Sequence, residues 1–89
     1  MILGKVIGNI WSTRKDEKLT GMKFLVVEKM TPQFQLTGEN FVAADNAGAG
    51  IGDSVLITTG SSARISLEKE VPVDAVIVGV VDSVENENQ

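Results

Sequence analysis

The sequence predicts an all-β protein, and three observations lead to this prediction. The chain has 89 residues, which is the size of one small domain. Its apolar residues lie in short runs that are rich in valine and isoleucine, and such runs favour strands. Glycine, proline and aspartate separate the runs at spacings typical of turns. We therefore expect one domain over residues 1–84, followed by a polar tail over residues 85–89.

The first predicted strand covers residues 2–11, whose side chains alternate between two faces. One face holds Ile2, Gly4, Val6, Gly8 and Ile10, and the other holds Leu3, Lys5, Ile7, Asn9 and Trp11. Glycines inside a strand let it coil sharply or let another backbone approach, as in the corner of a small barrel. The charged segment at residues 14–18 then predicts a solvated hairpin tip, which Gly21 ends.

Three further strands and a short helix follow. Strands are predicted over residues 22–29 and 41–44, with a loop between them, and these lengths fit a meander. A fourth strand is predicted over residues 54–59. After it, Ser61 or Ser62 can cap a helix of one or two turns.

The last predicted strand, residues 74–82, is apolar on both faces. A barrel strand needs only its inward face to be apolar, and we expect Val76, Val78 and Val80 to supply that face. Ile77 and Val81 would then face outwards.

On the first strand Leu3, Ile7 and Trp11 would also face outwards. Together with Ile77 and Val81 they form an apolar excess, which indicates an interface between subunits. Two contacts of about 800 Å² each would cover about a third of the roughly 5,000 Å² that a folded chain of this mass exposes. The alternative is that loops or the short helix cover the outer face.

Composition excludes several classes of function. The chain has no cysteine and no histidine, so it lacks disulfides, thiolate and imidazole metal ligands, and the commonest general base. A net charge of −4 argues against a nucleic-acid partner. Residues 1–5 lack the basic head and long apolar run of a secretory signal, and the longest apolar run, residues 75–81, is far shorter than a membrane span. We expect a cytoplasmic protein without catalysis, cofactor or metal.

The segment from Asp45 to Asp53 is rich in glycine and resembles a phosphate-binding loop. A dinucleotide fingerprint requires a strand before the glycines and a helix after them. Here a strand is predicted on both sides. A G-x-G-x-x-G register that starts at Gly48 would also place its last glycine at Asp53, whose charge repels phosphate. The glycines instead indicate close backbone approach, either in a tight turn or against a neighbouring subunit.

Two other groups of residues could carry chemistry. Ser61 and Ser62 lie near Arg64, but no base is available to activate a serine, so helix capping is the better interpretation. Four aspartates lie beside strand ends, where a carboxylate commonly accepts hydrogen bonds from turn N–H groups. They are Asp45, Asp53, Asp74 and Asp82.

Several ordered motifs resemble the EutN/CcmL family of bacterial microcompartment vertex proteins. The family's opening G-x-V-x-G and its K-L-L-x-V strand are similar to residues 4–8 and 23–27. Its D-x-x-G-A-G-x-G-[ED] signature is similar to residues 45–53, with Asp53 where many relatives have glutamate. Its G-S-S-A-R segment is reproduced at residues 60–64, and its closing P-x-D with a following apolar strand is similar to residues 72–82.

The resemblance implies a five-stranded OB-like β-barrel with one short helix. It also implies pentamers, with hexamers as an alternative, that fill the vertices of a shell built mostly from hexameric proteins. No catalysis is implied. The alternative function is an OB-like binding module for an oligonucleotide or another ligand.

For such a ring, subunit contacts are expected in the glycine-rich loop, at outer positions of the first and last strands, and in an ion pair between Arg64 and a carboxylate such as Asp74. The candidate residues are Asp45, Gly48, Ala49, Gly50, Gly52, Asp53, Arg64, Asp74, Ile77 and Val81.

Overall fold

The computed structural model describes residues 1–11, 21–60 and 73–82, which include five strands. The strands are β1 (Ile2–Ile10), β2 (Lys23–Met30), β3 (Leu36–Asp45), β4 (Ser54–Thr59) and β5 (Ala75–Val80). They close into a barrel in the order β1-β2-β3-β5-β4, which confirms the predicted all-β barrel. Within these ranges no helix is long and apolar enough to cross a bilayer. The predicted short helix, the charged hairpin tip and the C-terminal tail lie outside the described residues.

The barrel combines a meander with one crossover. Strands β1, β2 and β3 are antiparallel neighbours. Strand β4 returns to pair with β1, and β5 pairs with β4, both antiparallel. The barrel closes through a parallel contact between β3 and β5, in which Ala44 pairs with Val76 and Asp45 with Ile77. The end of β3, where the glycine-rich loop begins, is therefore fixed by strands on both sides.

The core contains small and β-branched side chains contributed by all five strands and by the loop after β3. On β1, Val6 is buried while Ile7 is 41% exposed, as the alternation predicts, but Ile10, on the same predicted face as Val6, is 38% exposed. The buried members of the main core cluster are Val6, Leu25, Val27, Ala43, Ala49, Val55, Ile57, Ala75 and Ile77.

Gly4 is the place where β1 approaches β2 most closely. A Cβ atom on Gly4 would collide with Val27 Cγ1 and lie 3.1 Å from the Glu28 carbonyl oxygen. A Cβ atom on Gly8 would lie no closer than 3.8 Å to Val26. The predicted close approach of another backbone is thus found at Gly4, whereas Gly8 has ordinary room.

Strand β3 begins at Leu36, five residues before its predicted start at Phe41. Gly38 has φ of +85°, and the pairing register shifts between Glu28 and Met30 on β2. The Glu28 carboxylate accepts the Gly38 N–H at 2.9 Å. A glycine-containing irregularity lets the strand continue past the point where the sequence indicates a loop.

The predicted orientation of β5 is wrong. Ile77 is fully buried in the main core, whereas Val80 is 41% exposed. Val76 is also buried, but it packs with Ala44 in a second, smaller cluster. The register between β4 and β5 shifts between Leu56 and Ile57. In a strand that is apolar on both faces, alternation does not indicate which face is inward.

Candidate subunit interface around the glycine-rich loop

The glycine-rich loop, residues 46–53, connects β3 directly to β4. This strand-to-strand setting agrees with the sequence prediction and gives the loop no helix N-terminus for a phosphate. The question is therefore what holds the loop in shape and what surface it presents.

Asp45 holds the first half of the loop. Its side chain is only 3% exposed. One carboxylate oxygen accepts the Ala47 N–H at 3.0 Å, and the other accepts the Ala49 N–H at 2.9 Å. Lys23 Nζ lies 3.5 Å from the same Asp45 Oδ2 and donates to the Ala49 carbonyl at 2.6 Å. Charge-assisted hydrogen bonds of this kind are among the stronger ones in proteins.

Asp53 holds the second half of the loop. Its carboxylate accepts the Gly50 N–H at 2.9 Å, and its own N–H donates to the Gly50 carbonyl at 3.0 Å. The loop also pairs with β1, because Val6 donates to the Asp53 carbonyl and accepts from the Gly52 N–H, each at 2.9 Å. Both aspartates thus have the turn-stabilising role that the sequence predicts.

Two of the loop glycines are required by their positive φ, and none is required because a side chain would clash within the subunit. Gly48 and Gly52 have φ of +73° and +94°, a region that residues with a Cβ rarely adopt. No described atom lies within 4 Å of a Cβ built at either position, and at Gly50 the nearest is Asp53 Oδ2 at 3.9 Å. The backbone of the loop does approach β1 at Gly52, but a Cβ at any of these three glycines would not crowd the subunit's own chain. Approach by a neighbouring subunit stays a prediction.

Beside the loop lies an exposed apolar surface, which we call the Trp11 patch. It consists of Ile10, Trp11, Met22, Phe24 and Ile51. Trp11 is 90% exposed and Ile51 is 62% exposed. Together with Asn9, Gly21, Lys23 and Gly50, these residues line a groove of about 560 Å³. The sequence analysis placed Trp11 on an outward face but did not include Ile51, whose position between two loop glycines exposes its side chain.

A second apolar surface, which we call the Met30 hollow, was missed by the sequence analysis. It has a volume of about 390 Å³ and is lined by Met1, Ile2, Leu3, Lys29, Met30, Pro32 and Leu56. The pairing of Leu3 with both Met30 and Leu56 brings three strands together here. Only the outward position of Leu3 could have indicated it, because the other contributors become neighbours through strand pairing.

The remaining predicted interface residues differ in what they can contact. Asp74 is exposed and Val81 is partly buried, and the Val81 N–H donates to the Ser54 carbonyl at 2.8 Å. Ile77 is fully buried in its own subunit, so its side chain does not form an outer surface. Arg64 lies outside the described residues.

The two loop carboxylates are engaged within the subunit. Asp45 and Asp53 already accept backbone hydrogen bonds. Residues 1–11, 21–60 and 73–82 contain no group of three histidine, cysteine, aspartate or glutamate residues arranged to hold a metal ion. What the arrangement offers is a rigid loop next to exposed apolar side chains, which is typical of a protein–protein interface.

The chain is similar to several known proteins. Residues 1–82 match the family described as "Ethanolamine utilisation protein EutN/carboxysome". The bacterial microcompartment shell vertex protein GrpN of Rhodospirillum rubrum is 48% identical, over 99% of this chain and 100% of the relative.

The chain is also similar to solved structures. The pentameric GrpN shell protein of Rhodospirillum rubrum superposes with a TM-score of 0.89 at 46% identity, over 98% of this chain and 100% of that chain. The CcmL structure from Gloeobacter violaceus has a TM-score of 0.92 at 37% identity, over 100% of this chain and 93% of that chain.

Proposed function

This chain belongs to the EutN/CcmL family of bacterial microcompartment shell vertex proteins, and from that premise we propose a structural function. Five copies form a closed homopentameric ring, and the ring caps a vertex of a microcompartment shell. The observation that supports this most directly is the match to a pentameric shell protein over 98% of this chain and the whole of that chain. The similarity therefore extends over a whole subunit of that protein.

The surface of the subunit supports assembly on physical grounds. The chain exposes 5856 Å², whereas a compact monomer of this mass exposes roughly 5,000 Å². The exposed apolar side chains include Trp11 and Ile51 at the Trp11 patch and Met1 at the Met30 hollow. Association that covers these surfaces supplies stabilisation that a chain of this size obtains less readily from its core.

A ring of identical subunits requires a heterologous interface, in which one surface of each subunit meets a different surface of the next. We place the glycine-rich loop at or beside this contact, with Val81 and an ion pair between Arg64 and Asp74 as further contributors. The loop suits this role because Asp45 and Asp53 hold its backbone in one shape before assembly. A preformed surface loses less conformational entropy on binding than a flexible one.

The remaining parts of the proposal concern the surroundings of the ring. We propose that it contacts hexameric shell proteins, that it resides in the cytoplasm as part of the shell, and that it has no catalytic activity, membrane partner or nucleic-acid partner. The acidic net charge of −4 supports the absence of nucleic-acid binding. The ring acts through its symmetry, since a five-fold ring closes a vertex that a six-fold unit does not fit.

Native mass spectrometry of the full chain tests the proposal. A dominant species of five subunits is expected. A monomer at micromolar concentration would contradict the ring, and a dominant hexamer would contradict its fit to a five-fold vertex. Salt-sensitive binding of single-stranded nucleic acid by a monomer would favour the OB-like binding module instead.

A further inference from the structure

Trp11 is the one tryptophan of the chain, and 90% of its surface is exposed. Tryptophan is highly buried on average in folded proteins, and one that is buried removes 150–250 Å² from water. Trp11 stands just after the end of β1 and next to the rigid loop that presents Ile51. An exposed aromatic side chain on a rigid support has the properties of an interface hot spot.

The Met30 hollow lies at the other end of β1. Its floor includes Met30, which is 5% exposed, and its rim includes Met1, which is 81% exposed. Met1 and Trp11 flank the nine residues of β1, so they are at most about 33 Å apart at 3.3 Å per residue. The Met30 hollow has a volume of about 390 Å³ and flexible methionine side chains, which suit the binding of an aromatic side chain.

These two surfaces differ in form and lie far apart on one subunit. A two-fold dimer would need a single patch that pairs with itself, whereas a closed ring needs two different patches that pair with each other. We propose that Trp11 of each subunit inserts into the Met30 hollow of the next subunit, so that this contact is repeated around the ring. The proposal rests on the proposed pentamer and names the surfaces that close it.

Cysteine cross-linking tests the pairing directly, because the natural chain contains no cysteine. Asn9→Cys places a thiol in the Trp11 groove and leaves Trp11 intact, since Asn9 lines that groove and lies two residues earlier on the same side of the strand. Pro32→Cys places a thiol at the Met30 hollow. A short bismaleimide linker then joins thiols that are neighbours in the ring.

The double variant is expected to give a ladder of covalent species that ends at five subunits. An equal mixture of the two single variants should give no covalent species beyond linear pairs. Each single variant alone should give none, because equal surfaces do not meet in a head-to-tail ring. Cross-linking of Asn9→Cys with itself would overturn the proposal.

Two outcomes distinguish this inference from the proposed function. If native mass spectrometry shows a pentamer of the double variant and no ladder forms, the Trp11 contact is wrong while the ring stands. If the unmodified chain is not a pentamer, the ring itself is wrong.

The natural chain offers a second measurement that needs no variant to fold. With one tryptophan, intrinsic fluorescence reports on Trp11 alone. In the intact ring we expect blue-shifted emission and weak acrylamide quenching, and on dilution below the assembly concentration we expect a red shift and stronger quenching. Emission and quenching in the pentamer equal to those of a free tryptophan amide would overturn the proposal.

Discussion

The ammonium of Lys23 lies 3.5 Å from the Asp45 carboxylate, and both residues bind the glycine-rich loop at Ala49, Lys23 by donating to its carbonyl and Asp45 by accepting its N–H. The Asp45 side chain is 3% exposed, whereas that of Lys23 is 52% exposed. The buried carboxylate also accepts two backbone N–H groups, so its charge is satisfied within the subunit. By contrast, the Lys29 and Glu39 pair is 4.0 Å apart with both side chains well exposed, and such surface pairs contribute little.

Asp45→Ala should destabilise the subunit, because it leaves the Ala47 and Ala49 N–H groups without their acceptor and removes the partner of Lys23. We expect a loss of about 1–3 kcal/mol in the free energy of unfolding, measured by urea denaturation at fixed protein concentration. Glu39→Gln is the matched control and should change stability by less than about 0.5 kcal/mol. Equal stability of Asp45→Ala and the natural chain would show that the loop does not depend on this carboxylate.

Alanine substitutions in the loop should distinguish the stability cost of a positive φ from the stability cost of an added side chain. Gly52→Ala forces a Cβ into φ of +94° and should cost about 1–2 kcal/mol. Gly50→Ala requires no positive φ and meets only Asp53 Oδ2 at 3.9 Å, so it should change the thermal stability of the subunit little. A Gly50→Ala loss as large as that of Gly52→Ala would contradict this distinction.

A bulky residue at Gly50 tests whether the loop faces another subunit. At Gly50 the nearest atom to an added Cβ is Asp53 Oδ2 at 3.9 Å. We expect the Gly50→Trp subunit to fold, with β-sheet circular dichroism like that of Gly50→Ala. If a neighbouring subunit approaches the loop, the fraction of pentamer in native mass spectrometry should fall strongly. An unchanged pentamer fraction would mean that the loop lies away from the subunit contact.

Gly4 and Gly8 form a matched pair on β1. Gly4→Ala would bring a Cβ into collision with Val27 and to 3.1 Å from the Glu28 carbonyl oxygen, and overpacking of this kind costs about 1–3 kcal/mol. Gly8→Ala meets only ordinary contacts at 3.8 Å and should be tolerated. Thermal melting of the two variants compares them, and a larger loss for Gly8→Ala would mean that β1 and β2 pair differently.

Ile77 and Val80 test the corrected orientation of β5. Ile77→Ala removes a fully buried side chain from the main core and should cost about 2–5 kcal/mol of unfolding free energy. Val80→Ala alters a side chain that is 41% exposed and should cost much less. Urea denaturation that gave the reverse order would restore the orientation predicted from the sequence.

Much of the fold could be predicted from local sequence. Alternation and β-branched residues locate β1, β2 and β4 within one or two residues of their observed bounds. The start of β3 was missed because its pairing continues through exposed polar residues, with Gly38 at positive φ. For β5, valine and isoleucine fit either face equally, so the orientation was undetermined by pattern alone.

The candidate site also has one part that local sequence predicts and one part that it does not. The roles of Asp45 and Asp53 follow from local chemistry, because a carboxylate in a turn finds backbone N–H donors within a few residues along the chain. The Met30 hollow does not, since its residues come from separate strands that only the barrel brings together.

The sequence by itself determined an acidic, cysteine-free, all-β chain with a strand-to-strand glycine loop, together with its resemblance to shell vertex proteins, because these depend on residue type and short-range spacing. Only the tertiary structure decided that Ile77 is internal, that Gly4 and not Gly8 meets a crowded neighbour, and that two different apolar surfaces lie at opposite ends of β1. These depend on strand register and on a bulge, and a shift of one residue in register moves every side chain to the opposite face.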